Sequence, residues 1–328
     1  MNNNVVVTGG GGYIGSHACK ALRKAGYNPI TIDNLSTGWS DAVKFGPFEE
    51  VDLLDQAELD RVFKDYQPVA VMHFAAFSQV GESSKDPAKY WRNNVVGSLN
   101  LFQACATHRC GKVILSSTCA TYGEQDNVVL TEASRQHPVN AYGSSKRAVE
   151  EILQQISKPA GLNHVIFRYF NVAGADPDGD IGEFHKPETH LIPLILEAID
   201  GKRDTITIFG TDYDTPDGTC IRDYVHVSDL VDAHILGLKW LENGGSDKIF
   251  NLGTGTGFSV REVIDQVRVI TNRDVPVIVG GRRVGDCSKL VSGSEAARVE
   301  LGWQPKRSLL KSMITDAWHW HQSVGYKK

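Results

Sequence analysis

The 328-residue chain contains no Cys-x-x-Cys pair, no run of 18 apolar residues and no block of basic residues. Each absence closes off a class of protein. Without paired cysteines, Cys19, Cys105, Cys110, Cys119, Cys220 and Cys287 outline neither a disulfide framework nor a cysteine-rich zinc module, and they are expected to be reduced and mostly buried. Without a long apolar run, no transmembrane helix is expected; the chain opens directly in a strand-like segment rather than a basic stretch and an apolar core, so a cytoplasmic protein is expected. With no basic block and a net charge of -5, nucleic acid is not an expected partner. Cys105-x-x-His108-x-Cys110 and Trp318-His319-Trp320-His321 invite a metal reading, but residues two apart on a helix face away from each other, so no metal is expected. What remains, 41% hydrophobic and 22% charged residues, is the composition of an ordinary globular protein, long enough for two domains or for one with a lobe grafted onto it.

The first half alternates short apolar runs with amphipathic segments. Asn4–Thr8 reads as a strand, Gly9 to Gly15 as a glycine turn, and Ser16–Ala25 as a helix. Such a turn lets backbone N–H groups approach a pyrophosphate at the positive end of a helix. A second strand, Pro29–Ile32, ends in Asp33, where an acid can accept hydrogen bonds from the adenosine ribose; with no arginine in Asp33-Asn34-Leu35-Ser36-Thr37-Gly38, NAD is expected rather than NADP. Strands then follow at Glu49–Leu53, Val69–Phe74, Lys112–Leu115 and His164–Arg168, with helices over Gln56–Asp65, Tyr90–Thr107 and Tyr142–Ile156. The expected fold is α/β, a Rossmann-type doubly wound parallel sheet with a smaller mixed α/β substrate-binding lobe. Ligands in such sheets sit beyond the carboxyl ends of the strands, so Asp52, Phe74-Ala75-Ala76, Ser116-Ser117-Thr118 and Phe170-Asn171 should line one crevice.

Tyr142 and Lys146 lie four residues apart at the start of a helix and so share a face. A phenol needs help to act as a base near neutral pH. One ammonium about 6 Å away, at an effective dielectric near 20, supplies roughly 3 kcal/mol, or about two pKa units. That leaves the tyrosine mostly protonated, and the positive charge of oxidised nicotinamide is expected to supply part of the rest. Beyond Asp176 the alternation loosens: Leu191–Ile199 reads as a helix and Thr205–Phe209 as a strand. Helices over Asp229–Leu241, Val260–Ile270 and Leu309–Gln322, with a strand at Ile249–Leu252, complete the pattern. The expected division is an NAD-binding domain over 1–175, with 223–252 returning to it, and a substrate lobe over 176–222 and 253–328.

Gly9-x-x-Gly12-x-x-Gly15, Asp33, Thr118 and Tyr142-x-x-x-Lys146, together with His73-Phe74-Ala75-Ala76, Arg168-Tyr169-Phe170-Asn171 and Gly218-Thr219-Cys220-Ile221-Arg222-Asp223-Tyr224, resemble the extended short-chain dehydrogenase/reductase family and, within it, the UDP-glucose 4-epimerases. The resemblance implies an NAD-dependent isomerase that oxidises a UDP-sugar at carbon 4 and reduces it on the other face. It implies that Tyr142 is the base, that Lys146 binds the nicotinamide ribose and lowers the phenol pKa, and that Thr118 bonds the reacting hydroxyl. Around NAD it places Gly9, Gly12, Tyr13, Ile14 and Gly15 at the turn, and Asp33, Asn34, Ser36, Thr37 and Gly38 at the ribose. Asp52 and Leu53, Phe74, Ala75, Ala76 and Ser78, and Asn94 and Phe170 complete that set. Around the UDP-sugar it places Arg222 and Arg283 at the diphosphate, Asp286 at a ribose hydroxyl, and Asn171, His190, Leu191, Phe209 and Tyr224 about the nucleotide. It further implies a homodimer formed through the Tyr90–Thr107 and Tyr142–Ile156 helices.

Three positions depart from the family pattern. Ser78 stands where many members carry a lysine that touches NAD, His190 replaces an asparagine, and Leu290 stands where some members carry a tyrosine that crowds carbon 2 of the sugar, so N-acetylhexosamines are expected to enter. A 4,6-dehydratase on the same scaffold would place Asp-Glu after the threonine, where this chain has Cys119-Ala120. An NAD-sensing protein without catalysis would typically lack the tyrosine or the lysine.

Overall fold

Val5 and Val7 pack on one face of the first strand and Val6 on the other, and the same alternation sends Met72 and Ile114 to the first face and Val71, Val113 and Leu115 to the second. Side chains with a period of two and apolar on both faces make a central strand that must be covered on both sides. The computed structural model describes residues 2–125, 129–283, 287–323 and 326. In chain order its strands are β1 (Asn4–Thr8), β2 (Asn28–Asp33), β3 (Phe48–Glu50), β4 (Ala70–His73), β5 (Lys112–Thr118), β6 (Val129–Leu130) and β7 (Asn163–Tyr169). They continue as β8 (Asn171–Ala173), β9 (Ile206–Phe209), β10 (Ile221–His226), β11 (Lys248–Leu252), β12 (Gly257–Ser259), β13 (Val277–Gly280) and β14 (Lys289–Ser292).

Seven of them form a parallel sheet in the order β11-β7-β5-β4-β1-β2-β3. The order reverses between β1 and β4, which opens a crevice at the carboxyl ends of those strands. On one face Ala18, Cys19 and Leu22 of helix Tyr13–Lys24 and Leu230, Ile235 and Leu238 of helix Val227–Glu242 cover the sheet. On the other, Leu59, Val62 and Phe63, then Leu101 and Phe102, then Val149 and Leu153 do so from helices Gln56–Tyr66, Gly97–Thr107 and Ala141–Ala160. The doubly wound Rossmann-type architecture is therefore as expected.

A smaller assembly continues from β7 through β8, which pairs with β10; β10 in turn lies between β12 and β14, and β9 pairs with β13. Helices Leu191–Ile199, Val260–Thr271 and Leu310–His321 share a separate core built on Ile195, Val263, Val267, Met313 and Ile314.

Two local departures bear on the site. The expected single helix over Tyr90–Thr107 is broken: a wider π-helical turn, Trp91–Val96, precedes helix Gly97–Thr107. Such turns displace a side chain from α-helical register, and here the turn carries Asn94, 1% exposed, whose amide oxygen accepts from Phe77 N at 2.9 Å and whose nitrogen donates to Ser145 Oγ at 3.1 Å. Strand β5 also runs on past Leu115 to Thr118, because its register with β7 continues through Thr118 opposite Tyr169. Of the six cysteines, Cys19, Cys105 and Cys110 are buried and the other three partly exposed. Among the described residues no helix is long and apolar enough to cross a membrane.

Candidate active site

The turn after β1 is shaped by what glycine omits. Gly9 has φ +74, a left-handed conformation, and a Cβ there would sit 2.7 Å from Ala75 N; a Cβ on Gly15 would sit 2.1 Å from Gly9 O. Backbone therefore packs on backbone, and the helix opens at Gly12 with Tyr13 and Ile14 in its first turn. Tyr13 OH donates to Gly174 O at 2.6 Å, tying the turn to the residue after β8. Asp33, at the end of β2, accepts from Gly11 N at 2.9 Å and from Leu35 N at 2.8 Å. Burial pushes its pKa up, and those two N–H groups oppose the rise. A Cβ on Gly38 would lie 3.0 Å from both Asp33 oxygens, so this rim too requires glycine. The glycine cradle at a helix start, with a carboxylate at the end of the next strand, fits the pyrophosphate and adenosine ribose of NAD.

The remaining residues expected at NAD gather at the ends of neighbouring strands. Asn34 Nδ2 donates to Asp52 Oδ2 at 2.9 Å, and Leu53 O accepts from Asn100 at 2.9 Å. Ser36 and Thr37 are exposed between Asn34 and Gly38. Phe74 N continues the ladder to Thr8 O at 3.0 Å, which sets Phe74, Ala75 and Ala76 beside the glycine turn. Ser78 lies just beyond and is exposed, while Phe170 is 5% exposed at the end of β7.

Helix Ala141–Ala160 starts where Asn140 accepts from Gly143 N at 2.9 Å. A Cβ on Gly143 would lie 2.5 Å from Ala120 O, so the helix start presses against the turn that follows β5. This contact brings Tyr142 to Thr118, whose Oγ1 accepts from Ala120 N at 3.1 Å. Burial, then Tyr169, raise the Tyr142 phenol well above its ordinary pKa, and a hydrogen bond with Thr118 opposes them. Lys146 is 4% exposed; burial pulls its ammonium down to about 8, against the pull of Glu150. In the protein alone the phenol keeps its proton and the ammonium stands close to losing its own. The shortfall anticipated for a tyrosine–lysine pair is thus deepened by burial.

Glu150, one further turn along, had no role assigned from sequence although the spacing Tyr142, Lys146, Glu150 places all three on one helix face. It is 1% exposed, binds Arg168 of β7 with Nη2 at 2.6 Å and Nε at 3.0 Å, and accepts from Ser117, the residue before Thr118. The pair locks the helix to β5 and β7.

At the other end of the crevice, Asn171 opens β8 opposite Tyr224 of β10, and Tyr224 is 5% exposed. Arg222 donates to the carbonyls of Ile221 at 2.9 Å and Cys287 at 3.0 Å, and its charge acts on Cys119, next to Thr118. Leu290 lies opposite Arg222 in register and, like Cys119, packs against the buried cluster of Tyr122, Leu130 and Phe170. The Arg283 guanidinium lies 3.9 Å over the Phe209 ring. Asp286 falls outside the described residues.

Leu191 begins a helix for which His190 is the capping position, and His190 Nδ1 is bound by Glu183. Burial alone would lower the pKa of His190 and of neighbouring His185, but the nearby carboxylates outweigh it, raising His190 and bringing His185 to about 10. The spacing Glu183-x-His185-x-x-Glu188-x-His190 was a visible signal for this cluster.

Residues 5–253 match the NAD dependent epimerase/dehydratase family. The UDP-glucose 4-epimerase of Rhizobium meliloti (strain 1021) is 47% identical over 321 residues, covering 98% of each chain. That of Halalkalibacterium halodurans is 45% identical over 318 residues, covering 97% of this chain and 95% of the relative. Among solved structures, the UDP-glucose 4-epimerase from Brucella ovis in complex with NAD superimposes with a TM-score of 0.95 at 48% identity, covering 97% of this chain and 98% of that one. The UDP-Glc/GlcNAc 4-epimerase from Campylobacter jejuni does so at 0.85 and 40% identity, covering 98% and 99%. A glycine cradle with its acid, a threonine meeting a tyrosine one turn from a buried lysine, and matches spanning nearly the full length all place this chain in the NAD dependent epimerase/dehydratase family.

Proposed function

We propose that the chain interconverts UDP-glucose and UDP-galactose through a 4-keto sugar, retaining its NAD from one turnover to the next. The observation that carries this reading is the meeting of Thr118 and Tyr142 at the end of β5, with Lys146 buried one turn deeper. NAD, when bound, supplies hydride removal at carbon 4 and its return to the opposite face. Tyr142 takes the proton of the 4-hydroxyl and gives it back, while Thr118 hydrogen-bonds the same hydroxyl and holds it in line. Lys146 binds the nicotinamide ribose and keeps a positive charge beside the phenol. Asp33 receives the adenosine ribose, and the glycine cradle receives the pyrophosphate.

Arg222 and Arg283 suit the UDP diphosphate, since a guanidinium matches phosphate oxygens in pairs. Arg283 lies over Phe209, and the charge of Arg222 acts on Cys119, the residue after Thr118, which supports this assignment. Asn171, Leu191, Phe209 and Tyr224 enclose the nucleotide, and Asp286 meets its ribose. Leu290 borders the same apolar cluster as Cys119, the residue after Thr118, and is smaller than a tyrosine, which supports room at carbon 2 of the sugar and turnover of UDP-N-acetylglucosamine as well. The working division is an NAD-binding domain over 1–175 and 223–252 and a substrate lobe over the rest. A homodimer joined through the Tyr90–Thr107 and Tyr142–Ile156 helices is supported by Trp91 and Val96, apolar side chains left 43% and 44% exposed there; the cytoplasm is the compartment proposed for it.

Purified protein given UDP-glucose without added NAD should yield UDP-galactose on chromatography, and UDP-N-acetylglucosamine should yield its 4-epimer. Failure of the first conversion in NAD-loaded protein rejects the reading; failure of the second alone rejects only the role of Leu290.

A further inference from the structure

We infer that Glu183, His185, Glu188 and His190 form a binding site for one divalent transition-metal ion of zinc-like chemistry, in the loop that leads into helix Leu191–Ile199. One ligand atom from each of the four lies within 4.8 Å of all the others. His185 Nδ1 stands 3.4 Å from Glu183 Oε1 and 3.4 Å from Glu188 Oε2, is buried, and makes a hydrogen bond to neither. Two ligands held about 2.05 Å from a tetrahedral zinc ion are about 3.3 Å apart. The spacing about His185 is therefore that of neighbouring ligands around an ion. His190 Nδ1, in contact with Glu183, completes two nitrogens and two oxygens.

The ligands are held by the surrounding chain. Glu188 Oε1 accepts from Thr189 N at 2.7 Å and His190 N at 2.9 Å, which leaves Oε2 facing His185. The Glu183 carbonyl accepts from Trp320 Nε1 at 2.9 Å and that of Phe184 from Trp39 Nε1 at 2.8 Å, so the loop is pinned on both sides.

Charge points the same way. The Glu183 and Glu188 side chains are 6% and 4% exposed, and two carboxylates so nearly buried require two positive charges beside them. Among the described residues no lysine or arginine pairs with either, so in the metal-free chain the charge comes from the two histidines, whose ring protons a divalent ion would replace. Elsewhere the chain solves the same problem with a side chain: Asp176, Asp178 and Asp180 converge on Lys20 Nζ at 2.5, 2.8 and 2.8 Å. At Glu183 and Glu188 the converging groups are imidazoles, which suit zinc, cobalt or nickel and not calcium or magnesium. An ion there would clamp the loop and fix the start of the helix that carries Leu191, whatever reaction the crevice performs.

The test uses NAD-loaded protein treated with a chelator, desalted and titrated with Co²⁺ by visible absorption and with Zn²⁺ by calorimetry. One ion per chain, with the intense bands of tetrahedral cobalt and their loss on adding zinc, is expected. His185→Ala and Glu188→Gln should abolish binding, whereas His319→Ala should not. Glu188→Gln keeps an oxygen for the Thr189 and His190 N–H groups and so guards against simple misfolding, checked by its melting curve. Saturation short of one ion per chain, or a folded Glu188→Gln protein that binds cobalt as the parent does, would overturn the assignment and leave the cluster as an ion-paired clasp. The readout is independent of epimerisation, so its failure does not touch the proposed reaction.

Discussion

Replacing Lys146 with methionine separates what the residue gives catalysis from what it takes from the fold. Lys146 is 4% exposed, and burial lowers its ammonium from 10.5 to about 8. At about 1.4 kcal/mol per pKa unit, that shift corresponds to a penalty of about 3 kcal/mol for keeping the charge in the folded, NAD-free chain. The folded pKa is the lower one, so the unfolded chain binds more protons between the two values and wild-type stability rises with pH there. The penalty is complete below about pH 8, shrinks above it and is gone past about pH 10.5. Methionine fills a similar volume without the charge. Urea unfolding of the NAD-free proteins should find Lys146→Met more stable by about 3 kcal/mol at pH 7 and by about 1 kcal/mol at pH 9.5. Turnover should fall about 100-fold or more, the two pKa units that an ammonium about 6 Å away contributes to the phenol. A stability difference that does not change with pH, or a less stable variant, would show that Lys146 carries no burial penalty.

Three further substitutions probe the scaffold of the site. Glu150→Gln leaves Arg168, 3% exposed, as an unpaired buried charge, and should lower stability by about 3–5 kcal/mol in urea unfolding; a loss under about 1 kcal/mol would show that the pair does not anchor the catalytic helix. Gly15→Ala would bring a Cβ to 2.1 Å from Gly9 O, so the purified variant should carry far less NAD per chain than the parent. Gly81→Ala, with nothing within 4 Å, should keep its full NAD content, and full NAD in the Gly15 variant would contradict the fit of the cradle. Leu290→Tyr should depress turnover of UDP-N-acetylglucosamine while sparing UDP-glucose, whereas equal loss on both would remove Leu290 from the sugar pocket.

The sheet was legible because its strands are apolar on both faces and β-branched, and because glycine at 9, 12 and 15 with Asp33 after the second strand leaves little else for the turn to be. Helix Leu191–Ile199 was read to its end residues, since its apolar pattern begins directly after a polar stretch. Short strands such as β8, β12 and β14 were not read. They hold three or four residues each and are fixed by pairing with distant β10, a tertiary choice that local propensity does not carry. The π-helical turn at Trp91–Val96 escaped for the same reason: it is stabilised by Asn94 reaching Phe77 and Ser145, and nothing in the local pattern distinguishes it from an α-helical turn. Tyr142, Lys146 and Thr118 were legible as residue types at a spacing. That burial opposes the phenolate was not, because it depends on how closely Gly143 lets the helix approach Ala120.

Running the reaction in D₂O shows whether carbon 4 is oxidised and reduced by one retained cofactor. UDP-glucose should become UDP-galactose without added NAD, and the product should carry no deuterium at carbon 4, because the hydrogen leaves and returns without meeting solvent. Deuterium at carbon 4, or no UDP-galactose from folded, NAD-loaded protein, would contradict it.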